Sequence, residues 1–367
     1  MAERKHETEM LILGDGVTGL SIAYHCAAAG IDVVLLQPDD IETAAARTAG
    51  TVRGYFPGKP HDSRLAIRGL AELRPFGSRA DSGFLTVLAG RRHIAELIGE
   101  LPAQRAAGVE MELLTPEETL ERNPLLAGDG IAGGIWCAQT CQVDAAAVVR
   151  GYAKAAAEHG ARVCTGVTVT GVDSSAHRVT CTTGTITADT IVIAAGPRSG
   201  DLAALAGVPI PVWAQFAELM LTDPLGAGDV GTPFTFHPVA GLKTLGVGRS
   251  LLVGLERISQ REDLRLVWFR EAEAELARRY RLGKAALHST WTGTFDVTPA
   301  SSPIIDRGRE EHAHLLFAAG YGGQTLVQAP ESGRLIRDLF LGRSPDIDLA
   351  PFSLSQHQST PATVGWG

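Results

Sequence analysis

No stretch of this sequence approaches the roughly 20 consecutive apolar residues that a membrane-spanning helix requires. The charged opening, MAERKHETE, carries no apolar run of signal-peptide length. Cysteine is scarce and odd in number, at positions 26, 137, 141, 164 and 181. Cys137 and Cys141 lie close together, but no second pair follows at a spacing typical of zinc, so all five read as reduced thiols. Positive charge is in deficit: 33 Lys and Arg against 41 Asp and Glu leave a formal charge of −8. That balance removes an electrostatic grip on nucleic acid or acidic membranes. Internal repeats, low-complexity blocks and long charge runs are also missing. The expectation from these absences is a soluble cytoplasmic protein with no metal site, no nucleic-acid partner and no membrane span.

What is present points to an enzyme-sized globular chain. Its 367 residues suffice for one large or two medium domains with a sizeable core, and 45% hydrophobic with 20% charged residues is ordinary for such a protein. Gly 42 is high and suits a fold with many tight strand-to-helix turns. The most informative stretch is Met10 to Gln37. A buried strand (Met10 to Leu13) breaks into Gly14-Asp15-Gly16-Val17-Thr18-Gly19, helical composition continues from Leu20 to Ala29, Gly30 stops the helix, and Asp32 to Leu36 forms a second buried strand. This G-x-G-x-x-G in a strand–helix–strand context is a dinucleotide-binding pattern. Gly14 permits the tight turn, Gly16 lets the backbone approach a pyrophosphate, and Gly19 lets helix and strand pack. The helix start offers free N–H groups and a positive dipole end to the phosphates. A ribose-binding carboxylate is expected about 20 residues on; Gln37 stands there, with Asp39 as a possible substitute.

Further along, Arg64 to Phe76 reads as a helix, Gly83 to Leu88 as a strand and His93 to Ala106 as a helix. Thr115-Pro116-Glu117-Glu118 opens a short helix with an N-cap, a proline and two acids. Asp144 caps a helix to His159, a strand covers Ala161 to Val172, and a buried strand (Asp189 to Gly196) ends in Ala-Ala-Gly. Val212 to Thr222 and Gly248 to Arg257 alternate like antiparallel strands, and Leu264 to Leu276 is helical. A last buried strand, Leu315 to Ala319, runs into Gly320-Tyr321-Gly322-Gly323-Gln324 and a long helix. His312-x-His314 reads as a solvated loop, and the tail after Phe352 as frayed.

Three of these elements resemble the D-amino acid oxidase superfamily of flavoenzymes, which includes glycine oxidase and sarcosine oxidases. They are the first glycine motif with the small-residue segment Glu42 to Phe56, the "DTIVIAAGPRSG" element, and "TWTGTFDVTPASSPIID" followed by "HLLFAAGYGGQTLVQAPESGRLIRDLFLG". The resemblance spans about Leu11 to Phe352. It implies an α/β chain: a Rossmann-like FAD-binding domain of the glutathione-reductase type two, and a second α+β substrate domain on a mixed, antiparallel sheet. The FAD-binding domain would take residues 1–82, 143–210 and 296–352, the substrate domain 83–142 and 211–295, and the tail 353–367.

By the same resemblance the cofactor is FAD. Its cradle would be Gly14, Asp15, Gly16, Val17, Thr18, Gly19, Gln37, Arg47, Thr48, Ala49, Gly50, Val169, Ala195, Gly196, Gly320, Gly322, Gly323, Gln324 and Thr325. The reaction implied is hydride transfer to the flavin from a C–N bond of an amine or amino acid, giving an imine, with O2 or an electron-acceptor partner reoxidising the flavin. Alternatives are oxidation of a 2-hydroxy acid or alcohol, and a flavin-binding subunit of a larger dehydrogenase complex. Relatives that tether FAD use a cysteine just before the "TP" element; Gly293 to Asp296 has none, so FAD is expected to be non-covalent. The arginine that clamps a substrate carboxylate in relatives is Phe295 here. Lysines used by sarcosine oxidases fall at Val327 and within Leu251 to Gly254. A buried carboxylate without a cation is costly, so the usual clamp is missing or relocated, which favours a secondary or cyclic amine. Arg53 is the best relocated clamp, ahead of Lys243, Arg249 and Arg198. The catalytic candidates are Arg53, His237, Glu256 and Tyr321. Asp296 and Gln324 are further polar pocket candidates, and Tyr55, Phe56, Trp136, Phe236 and Trp291 could line an aromatic pocket.

Overall fold

The computed structural model describes residues 6–14, 16–38, 50–73, 79–256, 265–283 and 286–359. Its first sheet is built on the strand His6–Leu13, which pairs in parallel with Val33–Leu36 on one side and with Gly184–Ile193 on the other. Arg162–Cys164 extends it in parallel beyond 33–36, and Leu315–Ala319 pairs in parallel with the end of 184–193. Antiparallel strands Val169–Asp173, Arg178–Cys181 and Ile304–Arg307 complete the eight. Both faces are covered, which is why these strands read as continuous apolar runs rather than alternations. Met10 and Ile12 pack with the helices Val17–Ala28 and Thr325–Phe340, whereas Leu11 and Leu13 pack with Ala203 and Ile210 on the opposite side.

The second eight-stranded sheet has the order 287–297, 213–222, 250–255, 242–247, 234–237, 84–88, 133–137, 112–114. All its pairings are antiparallel except that of Phe234–His237 with Phe84–Leu88. A three-stranded sheet, 51–53, 140–143 and 79–81, lies outside both. The short helix Pro116–Arg122 opens as its sequence dictates. Thr115 accepts from the Glu118 N–H and Glu118 reaches back to the Thr115 N–H at 2.7 Å, forming a full capping box. Asp144 caps Ala145–Glu158 through the Ala147 N–H at 2.9 Å.

Two glycines let the helix Thr325–Phe340 wedge between its neighbours. A methyl group at Gly69 would strike the Val327 carbonyl, and one at Gly333 would strike Ser21 and His25. The helix carries Glu331, whose side chain is 1% exposed and paired with Arg334 at 3.0 Å. Burial pushes this carboxyl up to about 7, against the pull of Arg334 and Arg68, with Asp346 and Glu72 pushing the same way as burial. A carboxyl raised in the folded state stabilises most below its unfolded value of 4.5 and loses that contribution as pH rises through about 7. Glu331→Gln is therefore expected to flatten the fall in stability between pH 5 and 8 by about 2–3 kcal/mol. Thermal melts at the two pH values would show this as a wild-type Tm drop larger than the variant's by roughly 3–4 °C.

Three expectations are corrected. The single strand expected from Ala161 to Val172 is broken at Gly166, whose φ of 73° turns the chain, so that 162–164 runs parallel and 169–173 antiparallel in the same sheet. The tail is ordered through a short helix, Leu354–Ser359, whose first N–H donates to Asp306 at 2.8 Å and whose His357 is buried. His314 is also buried: with His312 it shares the Ser174 hydroxyl, and its ring stacks on His177 at 3.9 Å. Among the described residues no group of three metal-ligating side chains is placed to hold an ion, and no helix is long and apolar enough to cross a membrane.

Candidate active site

The turn after the 6–13 strand shows why each glycine stands where it does. A side chain at Gly14 would place its Cβ 2.6 Å from the Ala194 carbonyl oxygen, so glycine is required for the strand ends to meet. Gly16 is different. Its extended backbone (φ −134°) would admit any residue, and a Cβ there would meet nothing within 4 Å. The position opens onto free space at the start of the 17–28 helix, which has no side-chain cap and no acid in its first turn. Buried Gln37 presents its Nε2 with no hydrogen-bond partner among the described residues. An uncapped helix start and an orphaned buried amide beside one strand end fit a dinucleotide: the first for a diphosphate, the second for a ribose hydroxyl.

A cavity of about 620 Å³ continues from this turn between the two large sheets. Gly16, Val17 and Thr18 line one end. Ala194 and Gly196 line a wall, as do Tyr321 to Val327 from the last glycine loop and helix. That loop is held by Asp296, whose carboxylate accepts the Gly320 N–H at 2.6 Å and whose carbonyl accepts the Gly322 N–H at 2.7 Å. The helix that follows has neither a side-chain cap nor a first-turn acid, so its positive end faces the cavity uncompensated.

The second sheet supplies the opposite wall, and pleating decides which side chains reach it. In the register, Phe236 opposes Lys243 and Lys243 opposes Gly254, so these and Glu256 share the cavity face. His237 opposes Leu242 and therefore points behind the sheet, where its Nε2 meets the Tyr280 hydroxyl at 3.2 Å beside Thr244. Burial, assisted by Arg279, holds His237 down at about 3, neutral at physiological pH. His237→Leu is accordingly expected to cost about 1 kcal/mol of stability and to change kcat/KM less than about threefold, measurable by paired melts and steady-state assays.

Arg53 enters from the strand Thr51–Arg53. Its guanidinium lies over Phe56 at 4.6 Å, Phe84 at 4.9 Å and Phe234 at 5.7 Å. Burial pulls it down to about 10, with Glu256 the strongest opposing attraction, so it is charged at neutral pH. Its Nη1 is buried with no partner among the described residues. Lys243 lies 5.4 Å over Phe236 and is paired with Glu256 at 2.7 Å. Burial lowers the Lys243 ammonium most, Arg53 adds to this, and Glu256 opposes it.

A profile of the family described as FAD dependent oxidoreductase (DAO) matches residues 9–339. The chain belongs to this family. Glycine oxidase of Geobacillus kaustophilus is 25% identical over 96% of the chain and 98% of its own length. D-amino acid dehydrogenase of Xanthobacter autotrophicus is 27% identical over 95% and 99%. The crystal structure of L-proline dehydrogenase from P. horikoshii shares the fold with a TM-score of 0.86 at 20% identity, covering 96% and 98%. The protein is an FAD-dependent oxidoreductase.

The structure gathers many of the expected residues and separates others. Gly16, Val17, Thr18, Gly196, Gly322, Gly323, Gln324 and Thr325 line the cavity, as do Arg53, Glu256 and Tyr321. Gly14, Gly19, Gly50, Ala195 and Gly320 stand behind the lining as close-packing or turn positions. Val169 lies on the antiparallel strand of the first sheet, away from the lining. Tyr321 is buried, which pushes its phenol up, with Ser332 beside the hydroxyl. Phe295 and Val327 line the cavity without charge. His237 does not line it. Nor do Arg198 and Arg249, the latter donating to the Gly226 carbonyl at 2.6 Å. Tyr55 bonds Glu100, Trp136 lies under Arg122, and Phe236 underlies Lys243, so of the proposed aromatics Phe56 alone lines the cavity among the described side chains. Asp15, Asp39, Arg47, Thr48, Ala49 and the Trp291 side chain lie outside the described residues. Sequence reasoning missed Thr51, Ala145, Val149 and Glu218, all cavity-lining; Glu218 was detectable only as a lone acid in an otherwise apolar strand.

Proposed function

We propose that the protein oxidises the C–N bond of an amino acid, secondary or cyclic amines included, to an imine, and that Arg53 receives the substrate carboxylate. The observation that carries this reading is the buried, unpartnered Nη1 of Arg53 in the cavity. A desolvated guanidinium nitrogen without an acceptor costs free energy unless an anion completes it, and a carboxylate matches its planar fork. The face of Phe56, Phe84 and Phe234 fixes the guanidinium plane.

In this reading the glycine turn and the 17–28 helix start hold the FAD diphosphate, Gln37 holds a ribose hydroxyl, and Ala195, Gly196 and residues 320–325 meet the flavin. Among the described residues no cysteine lines the cavity. When bound, FAD supplies the two-electron acceptor for the substrate hydride. Arg53 orients the substrate, Leu252, Leu255 and Phe295 exclude water from it, and Asp296 holds the glycine loop in place. The first sheet with segments 1–82, 143–210 and 296–352 would form the FAD-binding unit, and 83–142 with 211–295 the substrate unit.

Anaerobic titration of the yellow holoprotein with primary, N-alkyl and cyclic amino acids tests this, and bleaching by one class with release of the corresponding keto or imino product is expected. Bound FAD that no amine or amino acid reduces would sink the reading. Repeating the turnover in air assigns the acceptor: peroxide marks O2, and dye reduction without peroxide marks an electron-accepting partner.

A further inference from the structure

We propose that Gln328 and Asp62 are positioning residues for the cofactor: they fix the Gln324 side chain so that its amide N–H group donates to the flavin and stabilises the negative charge the ring gains on reduction. This rests on the reading that residues 320–325 meet the flavin. It adds a layer behind the cavity wall that sets how readily the ring accepts electrons.

Gln324 lines the cavity at the start of the helix Thr325–Phe340. Its Oε1 accepts from the Gln328 Nε2 at 2.8 Å, one helical turn further on. The same Gln328 nitrogen reaches the Asp62 backbone carbonyl and the Asp62 Oδ1, each at 3.4 Å. Asp62 lies in the first turn of the helix Pro60–Leu73, and its Oδ2 accepts the Ser302 hydroxyl at 2.6 Å. Burial pushes the Asp62 carboxyl up, while Ser302, Lys59, Gln328 and His61 pull it back down. Gln328 and Asp62 are buried, and neither lines the cavity. Three separate segments of the chain thus converge on one lining side chain.

Donor and acceptor chemistry decides which way each amide points. A backbone carbonyl only accepts, so the Gln328 nitrogen, and not its oxygen, must face Asp62. The other hydrogen of that nitrogen goes to the Gln324 Oε1. Gln324 is thereby held with its oxygen inward and its donor end on the cavity side, where no described residue accepts from it. The arrangement leaves the Gln328 Oε1 buried with no partner among the described residues. A methionine of similar length would pack there without that penalty, so the amide is kept for the donor it orients. A hydride brings two electrons and one proton, and the ring therefore takes on one negative charge as the substrate is oxidised. A fixed donor bonds more strongly to the charged ring than to the neutral one, and no reorganisation is needed when the charge arrives. The uncompensated positive end of the same helix acts in the same direction.

The test uses holoprotein without substrate, so its outcome is independent of which amine or amino acid is oxidised. Two quantities are read: the two-electron midpoint potential by dye-coupled reduction, and the affinity for sulfite, which adds to the flavin ring and leaves it negatively charged. Gln324→Met is expected to weaken sulfite binding about tenfold and to lower the potential by about 30 mV, the same factor in the ratio of reduced to oxidised flavin. Gln328→Met should weaken sulfite binding at least threefold although it does not line the cavity, with affinity for oxidised FAD within threefold of wild type. The double variant Gln324→Met with Gln328→Met should fall no further than Gln324→Met alone, because Gln328 acts only through Gln324. Unchanged sulfite affinity and potential in Gln328→Met overturn the proposal, as does a double variant whose losses add. A sulfite loss matched by an equal loss of oxidised FAD also overturns it, since that marks a general loosening of the loop. An unchanged Gln324→Met removes the reading that this loop meets the flavin, and the proposal with it; a shift in Gln324→Met without one in Gln328→Met sinks the proposal alone. Should Gln328→Met fail to fold, Gln328→Leu takes its place in the same cycle.

Discussion

Arg53→Met is expected to lower kcat/KM for the amino-acid substrate by about 10²–10³-fold while FAD stays bound and Tm holds or rises. The loss follows from removing one side of a desolvated charge pair, which costs about 2–5 kcal/mol. The retained stability follows from the surroundings. Methionine can fill the space over Phe56, Phe84 and Phe234, and a buried cation with an unpartnered nitrogen is a net burden on the fold until an anion arrives. Steady-state kinetics with flavin content measured on the same preparation checks both halves. An unchanged kcat/KM would show that the carboxylate is bound elsewhere. Arg53→Lys should recover little, because an ammonium lacks the bidentate fork and the planar stacking of a guanidinium.

The second large effect concerns the cofactor. Gly16→Val is expected to yield a colourless protein that folds, with FAD affinity reduced at least about a hundredfold, equivalent to about 3 kcal/mol. The extended backbone at Gly16 tolerates a β-branched residue, and its Cβ would meet no protein atom within 4 Å. The isopropyl group would instead occupy the approach to the 17–28 helix start, where phosphate oxygens would receive charge-assisted bonds from the backbone. Gly14→Val, two residues away, should behave in the opposite manner. Its Cβ falls 2.6 Å from the Ala194 carbonyl oxygen, so the strand ends part and stability is lost whether or not FAD is present. Flavin fluorescence titration with circular dichroism on both variants separates the cases. A Gly16→Val protein that retains tight, yellow FAD would contradict the assignment of the diphosphate to this turn.

Much of the fold was legible in the residues themselves. The runs Met10 to Leu13, Val33 to Leu36 and Leu315 to Ala319 are apolar on both faces, which only a doubly covered parallel sheet accommodates, and Thr115 with Glu118 and Asp144 mark their helix starts by local chemistry. The glycine turns were legible for the same reason: their requirements arise within a few residues of chain. The break at Gly166 escaped notice because the residues on either side carry the same strand propensity, and only pairing direction distinguishes them.

The cavity wall built by the second sheet was not legible to the same degree. His237 stands among the catalytic candidates read from sequence and Lys243 only among the relocated clamps, and a shift of one residue in register would exchange their faces. Sequence alone determined that the chain is a member of the FAD-dependent oxidoreductase family, because a glycine-rich strand-to-helix turn is specified by consecutive residues and their backbone angles. The tertiary structure decided which of several polar side chains face the cavity, that Arg53 rests on three phenylalanines, and that Lys243 and Glu256 meet across a hairpin. The physical reason is that these contacts depend on strand register and long-range packing between residues far apart in the chain, such as Arg53 and Phe234, which no local pattern encodes.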